Sequence, residues 1–302
     1  MELTTLRQFI AIADAGHITR AAESLGVTQP ALSAMLKKLE EELGSPLFDR
    51  TGRGVSLTSA GAAFLEHAEA AVRRADDAVR AVLELSGLER GVISIGGGAT
   101  ATAHLLPPVV RRVREAHPGL RLVMREAGSD AIARAVIAGE LDLGIVTLPV
   151  SVAGRGELMT IRTLTDELRL IVPAGHRLLE SDAEDRRFRW QDLTHEPVVA
   201  FEAGSAVRSV IDRAAAEHGV TLDVVMELRS IDSIRRMVDA GIGVGFISRF
   251  ALDQATGLRC GSGVLSRDLA VVRRRDRVPS AAASVFERAL LDQLATVDRA
   301  QS

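Results

Sequence analysis

Two short amphipathic helices separated by a glycine turn, within residues 19–43, constrain this chain more than any other feature. Thr19 is placed to cap the first helix, and Gly26 is placed to end it. Thr28 is placed to cap the second helix, with Pro30 in its first turn, where a missing N–H costs little. This pattern predicts a helix-turn-helix, a motif that places an α-helix in the major groove of DNA.

The second helix carries a polar stripe beside its leucines. Gln29, Ser33 and Lys37 are four residues apart, so they share one helical face. Their amide, hydroxyl and ammonium groups suit base edges and phosphates. The alternative is an ordinary solvated face, which is the rule for a lone surface helix. The capped helix before it and the hairpin after it favour the DNA-binding interpretation.

A hairpin signal follows the two helices. Short apolar segments flank Thr51-Gly52-Arg53-Gly54, and such a turn joins antiparallel strands. Beside a helix-turn-helix this predicts a wing whose arginines contact phosphates or the minor groove. The predicted DNA-binding residues are Arg20, Thr28, Gln29, Pro30, Ser33, Lys37, Arg50 and Arg53.

The charge of the chain limits how it can hold DNA. The net charge is −3, and residues 1–58 contain six Lys/Arg and seven Asp/Glu. A basic field over the whole protein is therefore absent, and any DNA contact must come from a local patch.

A long helix is predicted after the hairpin. Thr58 is placed to cap it, and the helical pattern runs to about Gly87 with a stripe of small apolar residues. A helix of this length without a local partner suggests a linker that pairs with a second copy of the chain.

From Gly91 onward, short strand-like segments alternate with helical ones. This alternation predicts a mostly parallel sheet covered by helices. No signal-peptide pattern is visible at Met1–Phe9, and no apolar run reaches the length of a membrane helix. A single cysteine, Cys260, fits a reducing compartment. A cytoplasmic protein without membrane contact is therefore expected.

The N-terminal motifs carry a family resemblance. Thr28-Gln29-Pro30-Ala31-Leu32-Ser33, followed by Leu47-Phe48 and Arg50, closely resembles the N-terminus of LysR-type transcriptional regulators. The segments GVISIGG, GELDLGIV and MVDAGIGVGFIS resemble the effector domain of that family, so the resemblance covers the whole chain. One departure is that Ala34 and Met35 follow Ser33 where the family often has polar residues. This departure suggests fewer base contacts, or more reliance on DNA shape.

The resemblance implies a multi-domain α+β protein and a function. The expected domains are a winged helix-turn-helix (residues 1–58), a linker helix (59–90) and a two-lobed α/β domain of periplasmic-binding-protein type (91–302). Lobe I would comprise about 91–163 and 268–302, and lobe II about 164–267. The implied partners are double-stranded DNA, a small-molecule effector and further copies of the chain, as a homodimer through the linker helix or a homotetramer. No enzymatic activity is implied.

The resemblance also implies where the effector binds. A two-lobed domain binds its ligand between the lobes, near strand ends and helix N-termini, where hydroxyl caps and the helix dipole favour an anion. Simple helix capping is the alternative role for these Ser and Thr residues. The implied effector-binding residues are Gly98, Thr100, Ser129, Phe201, Gly204, Ser205 and Ile231.

Three other functions have weaker support in the sequence. Residues 96–101 fit a dinucleotide-binding loop, but Pro107 and Pro108 would interrupt the helix that such a loop needs. A solute-binding module would not need the segment TQPALS or a wing. A redox role for Cys260 lacks a second cysteine to resolve it. The seven histidines show no metal spacing, so neither a metal nor a cofactor is expected.

Overall fold

The computed structural model describes residues 1–51, 54–84, 91–180, 187–252 and 257–299. The chain divides into two compact units, Met1–Leu85 and Ser86–Ser302. Among the described residues, the first unit has one hydrophobic core and the second unit has three.

Helices dominate the first unit, and one hairpin interrupts them. The elements are α1 (Leu3–Ala15), α2 (Ile18–Leu25), α3 (Gln29–Leu43), β1 (Phe48–Thr51), β2 (Gly54–Leu57) and α4 (Ser59–Glu84). The predicted hairpin is present, because β1 and β2 pair in antiparallel register from Phe48↔Leu57 to Thr51↔Gly54. The hairpin contacts the helices where the Val55 N–H donates to the Gly16 carbonyl oxygen at 2.9 Å.

Most of the predicted helix ends are confirmed. The Thr28 hydroxyl accepts from the Ala31 N–H, and glycines in the left-handed conformation end the first three helices. The Thr58 hydroxyl accepts from the Gly61 N–H at 2.9 Å, so Thr58 does cap α4. The predicted cap at Thr19 is wrong. Because the chain reverses at Gly16 and His17 is already extended, α2 begins at Ile18 and Thr19 lies in its first turn.

The core of the first unit includes part of the long helix. Phe9 is fully buried and contacts Phe48 and Phe64, with ring centroids 5.3 and 5.0 Å away. Ala68 and Val72 of α4 are buried in the same core. The expectation that this helix lacks a local partner is therefore wrong for its first half, which packs on α1. The predicted C-terminal end near Gly87 lies outside the described residues.

Gly61 in α4 approaches another backbone segment closely. A Cβ atom at this position would lie 2.0 Å from the Leu47 carbonyl oxygen. Alanine normally stabilises a helix relative to glycine, but here the added methyl group would force the backbones apart. We expect Gly61→Ala to destabilise the first unit by about 1–3 kcal/mol.

Thermal unfolding checks this expectation. Ala62, exposed on the same helical turn, supplies the matched control, because Ala62→Ser should cost only about 0.5 kcal/mol. A higher melting temperature for Gly61→Ala would contradict the close approach.

The second unit is a mixed α/β structure. Short 3-10 turns apart, its elements are β3 (Val92–Gly97), a π-helical turn (Ala101–Leu105), α5 (Leu106–Ala116), β4 (Arg121–Glu126), α6 (Ser129–Ile137), β5 (Leu143–Thr147), β6 (Leu158–Ile171), β7 (Arg187–Phe188), β8 (Pro197–Phe201), α7 (Ala206–Glu217), β9 (Asp223–Leu228), α8 (Ile231–Asp239), β10 (Val244–Ser248), β11 (Arg259–Cys260), β12 (Ser266–Arg274) and α9 (Ala281–Arg299).

The main sheet has the strand order β4-β3-β5-β12-β6-β10-β8-β9. The outer strands pair in parallel, as the sequence predicts. The centre differs, because β12 is antiparallel to both β5 and β6, and β10 is antiparallel to β6. The sequence pattern did not reveal β12 or the first ten residues of β6. Polar residues interrupt that part of β6, and β12 has one four-residue apolar run, 269–272, flanked by charged residues.

The two central strands connect separate cores. Along β6, Leu164 packs in the core around β3 and β5, while Leu168 packs in the core around β8 and β10. Where the chain returns through β12, Leu265, just before the strand, packs in the core around β8 and β10. Leu269, within the strand, packs in the core around β3 and β5. The chain therefore crosses between the two halves of the unit at β6 and β12. Among the described residues, no helix is both long and apolar enough to span a membrane.

Candidate functional site

The polar face of α3 has the geometry that the spacing predicts. Gln29 and Ser33 lie on one exposed face, where the Gln29 side-chain amide donates to the Ser33 hydroxyl oxygen at 2.8 Å. Leu32, Leu36 and Leu39 are buried on the other side. The bond holds the glutamine side chain in one orientation, so less side-chain freedom remains to be lost on binding a base.

The other predicted DNA contacts are less defined. Lys37 is exposed and lies 3.7 Å from Glu41, so DNA would have to compete with a weak surface pair. Arg20 is exposed on α2, and Pro30 lies in the first turn of α3. Only the backbone of Arg50, in β1, is described, and Arg53 lies outside the described residues.

The departure at Ala34 and Met35 has a structural reason at one position. Met35 is partly buried against the core of the first unit, so it does not belong to the polar face. Ala34 is exposed next to Ser33. The described polar face of α3 is therefore narrow, and it centres on Gln29 and Ser33.

The second unit contains a cleft between its two halves, with a volume of about 510 Å³. Strand ends and helix starts from both halves form its walls. The first wall is made by residues 98–101 after β3 and 126–129 after β4, and the second by residues 201–207 after β8 and by Leu228 and Arg229 after β9. This volume suits a small metabolite.

A buried hydrogen-bond network forms the floor of the cleft, and Arg267 is its centre. Its guanidinium group donates to the Asp166 carboxylate at 2.8 Å, to the Thr100 hydroxyl at 2.7 Å and to the Thr147 hydroxyl at 3.2 Å. Ser248 donates to the other Asp166 oxygen at 2.6 Å. Among the described residues, these are the five buried polar side chains.

The Asp166 carboxylate is under two opposing influences. Burial raises its pKa above the ordinary value, because a charged carboxylate is poorly solvated there, while the Arg267 guanidinium acts in the opposite direction. Burial outweighs the cation, so the pKa of Asp166 is raised. The ion pair is therefore kept together by the hydrogen bonds that satisfy both partners.

The hydroxyl oxygens of the cleft are already used as hydrogen-bond acceptors. The Thr100 and Thr147 hydroxyls accept from Arg267, the Ser129 hydroxyl accepts from the Thr147 N–H, and the Ser205 hydroxyl accepts from the Arg208 N–H. Each hydroxyl oxygen thus already accepts a bond, and its hydrogen has no acceptor within the described part of the chain. These hydrogens remain available to a ligand that offers acceptors.

The second wall is held by Arg208. Its guanidinium group donates to the Phe201 carbonyl oxygen at 3.0 Å and to Glu227 at 2.9 Å. Glu227 in turn accepts from the Ala203 N–H. At the mouth of the cleft, Glu202 pairs with Arg229, and both side chains are exposed, so water screens their charges.

The cleft gathers six of the seven predicted effector residues: Gly98, Thr100, Ser129, Phe201, Gly204 and Ser205. Simple capping accounts for Ser205, which caps α7, but not for Ser129 or Thr100, whose hydroxyls accept from other elements. Ile231 does not line the cleft. It begins α8 and its side chain is buried in a core, while Leu228 and Arg229 line the cleft in its place.

Sequence reasoning missed Thr147, Asp166, Ser248 and Arg267. Arg267 lies in the polar run Ser266-Arg267-Asp268 between Leu265 and Leu269, so no local signal marks it as buried. Its partner is equally hidden, because Asp166 lies 101 residues away in the chain. Only the register of β6 against β12, in which Arg267 is directly opposite Asp166, brings them together.

Two family profiles match the chain. Residues 3–62 match "Bacterial regulatory helix-turn-helix protein, lysR family", and residues 86–295 match "LysR substrate binding domain". The chain belongs to the LysR family of transcriptional regulators. The match confirms the predicted family and fold, and with them a DNA-binding regulator that has an effector-binding domain. The family is one of regulators rather than enzymes, which excludes the alternative interpretation of residues 96–101 as the dinucleotide-binding loop of an oxidoreductase.

Similar curated proteins carry regulator names. A "Probable RuBisCO transcriptional regulator" of Nostoc sp. is 32% identical, over 98% of this chain and 89% of the relative. A protein of the same name from Synechocystis sp. is 30% identical, over 97% of this chain and 87% of the relative. The similarity is continuous over both units, so the regulatory architecture is shared as a whole.

Solved structures share the fold. A full-length variant of OxyR from Pseudomonas aeruginosa has a TM-score of 0.66 at 24% identity, covering 97% of this chain and 94% of that chain. Full-length CbnR complexed with its target DNA has a TM-score of 0.62 at 20% identity, covering 97% and 100%. At these identities the comparison supports the fold of the LysR-type regulator.

Proposed function

We propose that this LysR-type regulator reads its operator through Gln29 and Ser33 and responds to an anionic metabolite that binds in the cleft of its second unit. The observation that carries the effector proposal is the set of hydroxyl hydrogens from Thr100, Ser129 and Ser205. Each oxygen is already used as an acceptor, so the cleft offers donors to its ligand. A carboxylate or phosphate oxygen is the acceptor that gains most from such donors.

Helix starts reinforce the preference for acceptors. Ser129 is the first residue of α6, and Ser205 caps α7, so the positive ends of both helix dipoles lie at the cleft. Glu126 and Glu202 also border the cleft, but both are exposed and already accept hydrogen bonds, from Thr102 and Arg229. Water screens these carboxylates more than the buried floor.

The response to effector requires a difference in affinity between two states of the regulator. An effector bound between the two halves stabilises one arrangement of those halves, and that arrangement favours one geometry of paired recognition helices on DNA. We propose that the pairing is a homodimer through the linker helix α4, assembled further into a homotetramer, and that the protein acts in the cytoplasm. Analytical ultracentrifugation with and without operator DNA tests the assembly.

A gel-shift or footprint with DNA from beside the gene of this protein tests the regulatory function. We expect protection of a specific site at moderate salt that changes when the effector is added. The absence of protection in every metabolite condition would contradict operator binding.

We expect Thr100→Val and Ser129→Ala to weaken the response to effector without changing basal operator binding. Each substitution removes one donor from the cleft, which corresponds to a loss of about tenfold in effector affinity. The dose-response of operator binding against effector concentration measures this loss. Ser209→Ala, an exposed serine of α7 that does not line the cleft, serves as the control. Unchanged responses in both cleft variants would remove these hydroxyls from the effector site.

A further inference from the structure

The buried ion pair occupies the crossing between the two halves of the second unit. Asp166 lies between Leu164 and Leu168 on β6, which belong to different cores, and Arg267 is its cross-strand partner on β12. A hydrogen bond to Thr100 connects the pair to the first wall of the cleft. A hydrogen bond from Ser248 connects it to the end of β10 in the other half.

The two charges are not equally accessible from the cleft. Arg267 lines the cleft and can contact a ligand, whereas Asp166 is fully buried behind it and is not a lining residue. A ligand therefore meets a cation whose charge is already balanced by a carboxylate that it does not touch.

We propose that Arg267 is the anion receptor of the cleft and that Asp166 is its exchangeable counter-ion, so that an anionic effector binds together with one proton. This inference rests on the proposed function of the cleft as an effector site. The proton comes from solvent and remains on the Asp166 carboxyl group, and no covalent bond other than that O–H forms.

Electrostatics favour the exchange. When Asp166 is ionised, the pair has no net charge, so an entering anion gains attraction from Arg267 and meets repulsion from Asp166. In a poorly solvated site this repulsion is weakly screened. Protonation of Asp166 removes the repulsion and leaves the guanidinium charge to the effector. The anion and the proton therefore stabilise each other's binding, as linked ligands must.

The hydrogen bonds around Asp166 allow it to become neutral. Its Oδ2 atom receives the Arg267 guanidinium, while its Oδ1 atom is bonded to the Ser248 hydroxyl. A hydroxyl can accept as well as donate, so a proton on Oδ1 keeps a partner. The Ser248 oxygen also accepts from the Phe250 N–H, which holds it in place.

The charged groups that act on Asp166 come from two neighbouring elements. Arg267 on β12 and Arg249, just after β10, are both cations and both lower its pKa. Burial acts more strongly and raises the pKa, so the proton is bound more tightly than by an ordinary aspartate. An anion near Arg267 shifts the pKa further in the same direction.

Calorimetric titration of the full-length protein with benzenesulfonate tests the proposal, because a sulfonate stays ionised and cannot itself take up the proton. We expect binding to weaken by up to about tenfold per pH unit above the pKa of Asp166. Titrations in buffers of different ionisation enthalpy should report uptake approaching one proton. Benzoate should behave in the same way above its own pKa, and neutral benzamide should show neither effect.

Two variants and one control test whether the proton taken up on binding is bound by Asp166. Asp166→Asn should bind benzenesulfonate more tightly than the wild type at neutral pH, with no dependence on pH and no proton uptake. Ser248→Ala should move the pH dependence upward, because the ionised carboxylate loses a donor. Asp268→Asn, which replaces an exposed aspartate one residue from Arg267, should behave like the wild type.

The outcomes separate the two proposals. Benzenesulfonate binding that Thr100→Val weakens, but that takes up no proton, overturns the counter-ion role and leaves the effector site in place. Retention of the wild-type pH dependence in Asp166→Asn overturns it as well. If neither benzenesulfonate nor benzoate binds while a neutral metabolite does, this result contradicts both the anion preference of the cleft and the counter-ion role of Asp166. Operator binding is tested separately by the gel shift and is not affected by this result.

Discussion

Gln29→Ala should lower the affinity for the specific operator by about one to two orders of magnitude, while binding to unrelated DNA changes little. A glutamine amide can make two hydrogen bonds to an adenine edge, and one well-placed pair of this kind contributes about 1–3 kcal/mol of base discrimination. The hydrogen bond from Gln29 to Ser33 holds the amide in place before DNA arrives. Ser33→Ala removes that support and should cause a smaller loss of the same kind.

Titrations of operator and unrelated DNA at several salt concentrations measure the effect. Because Gln29 carries no charge, the salt dependence of binding should stay as in the wild type. Gln191→Ala is the matched control, since it makes the same substitution at an exposed position of the second unit. Wild-type operator affinity in both Gln29→Ala and Ser33→Ala would show that the recognition face lies elsewhere on the first unit.

Arg267→Gln should be the most destabilising single change in the effector unit that these contacts predict. It leaves the fully buried Asp166 carboxylate without its cation, and breaking a buried pair on one side costs about 3–5 kcal/mol. For a domain of this size, that cost lowers the melting temperature by about 6–20 °C. The double variant Arg267→Gln with Asp166→Asn should recover a large part of the loss, because no unpaired charge remains.

The pH dependence of this loss has a defined sign. The folded-state pKa of Asp166 is raised, and removal of Arg267 raises it further. A carboxyl group whose pKa is higher in the folded state stabilises the fold increasingly as pH falls toward its unfolded value. The deficit of Arg267→Gln should therefore shrink at acidic pH.

The matched control is Arg125→Gln, which removes an exposed pair with Glu140 and should cost less than about 1 kcal/mol. Equal melting temperatures for Arg267→Gln and Arg125→Gln would contradict the importance of the buried pair.

Much of the first unit could be predicted because its signals are local. Thr28, Pro30 and the glycines at helix ends act within a few residues of their own position, so spacing alone locates them. The prediction at Thr19 was wrong because the chain turns at Gly16 and His17 is already extended, so α2 begins at Ile18. The partner of α4 was missed because Phe9 and Phe64 are far apart in the chain.

In the second unit, too, the features with local signals could be predicted and those that depend on distant residues could not. Strand ends and helix starts are local, so the resemblance and the Ser and Thr positions led to six residues of the cleft. Ile231 was misplaced because spacing does not say whether the first residue of a helix faces a cleft or a core. The floor of the cleft stayed hidden because its five residues come from five different strands or loops.

By itself, the sequence determined the family, the DNA-binding motif, the caps and most of the segments that form the cleft, because these depend on neighbouring residues and on side-chain periodicity. Only the tertiary structure decided that Asp166 and Arg267 meet, that their side chains are buried at the crossing between two cores, and that the hydroxyl oxygens of Thr100, Ser129 and Ser205 already accept hydrogen bonds. The physical reason is strand register. A shift of one residue between β6 and β12 would place the Asp166 and Arg267 side chains on opposite faces of the sheet, and no local pattern in either strand sets that register.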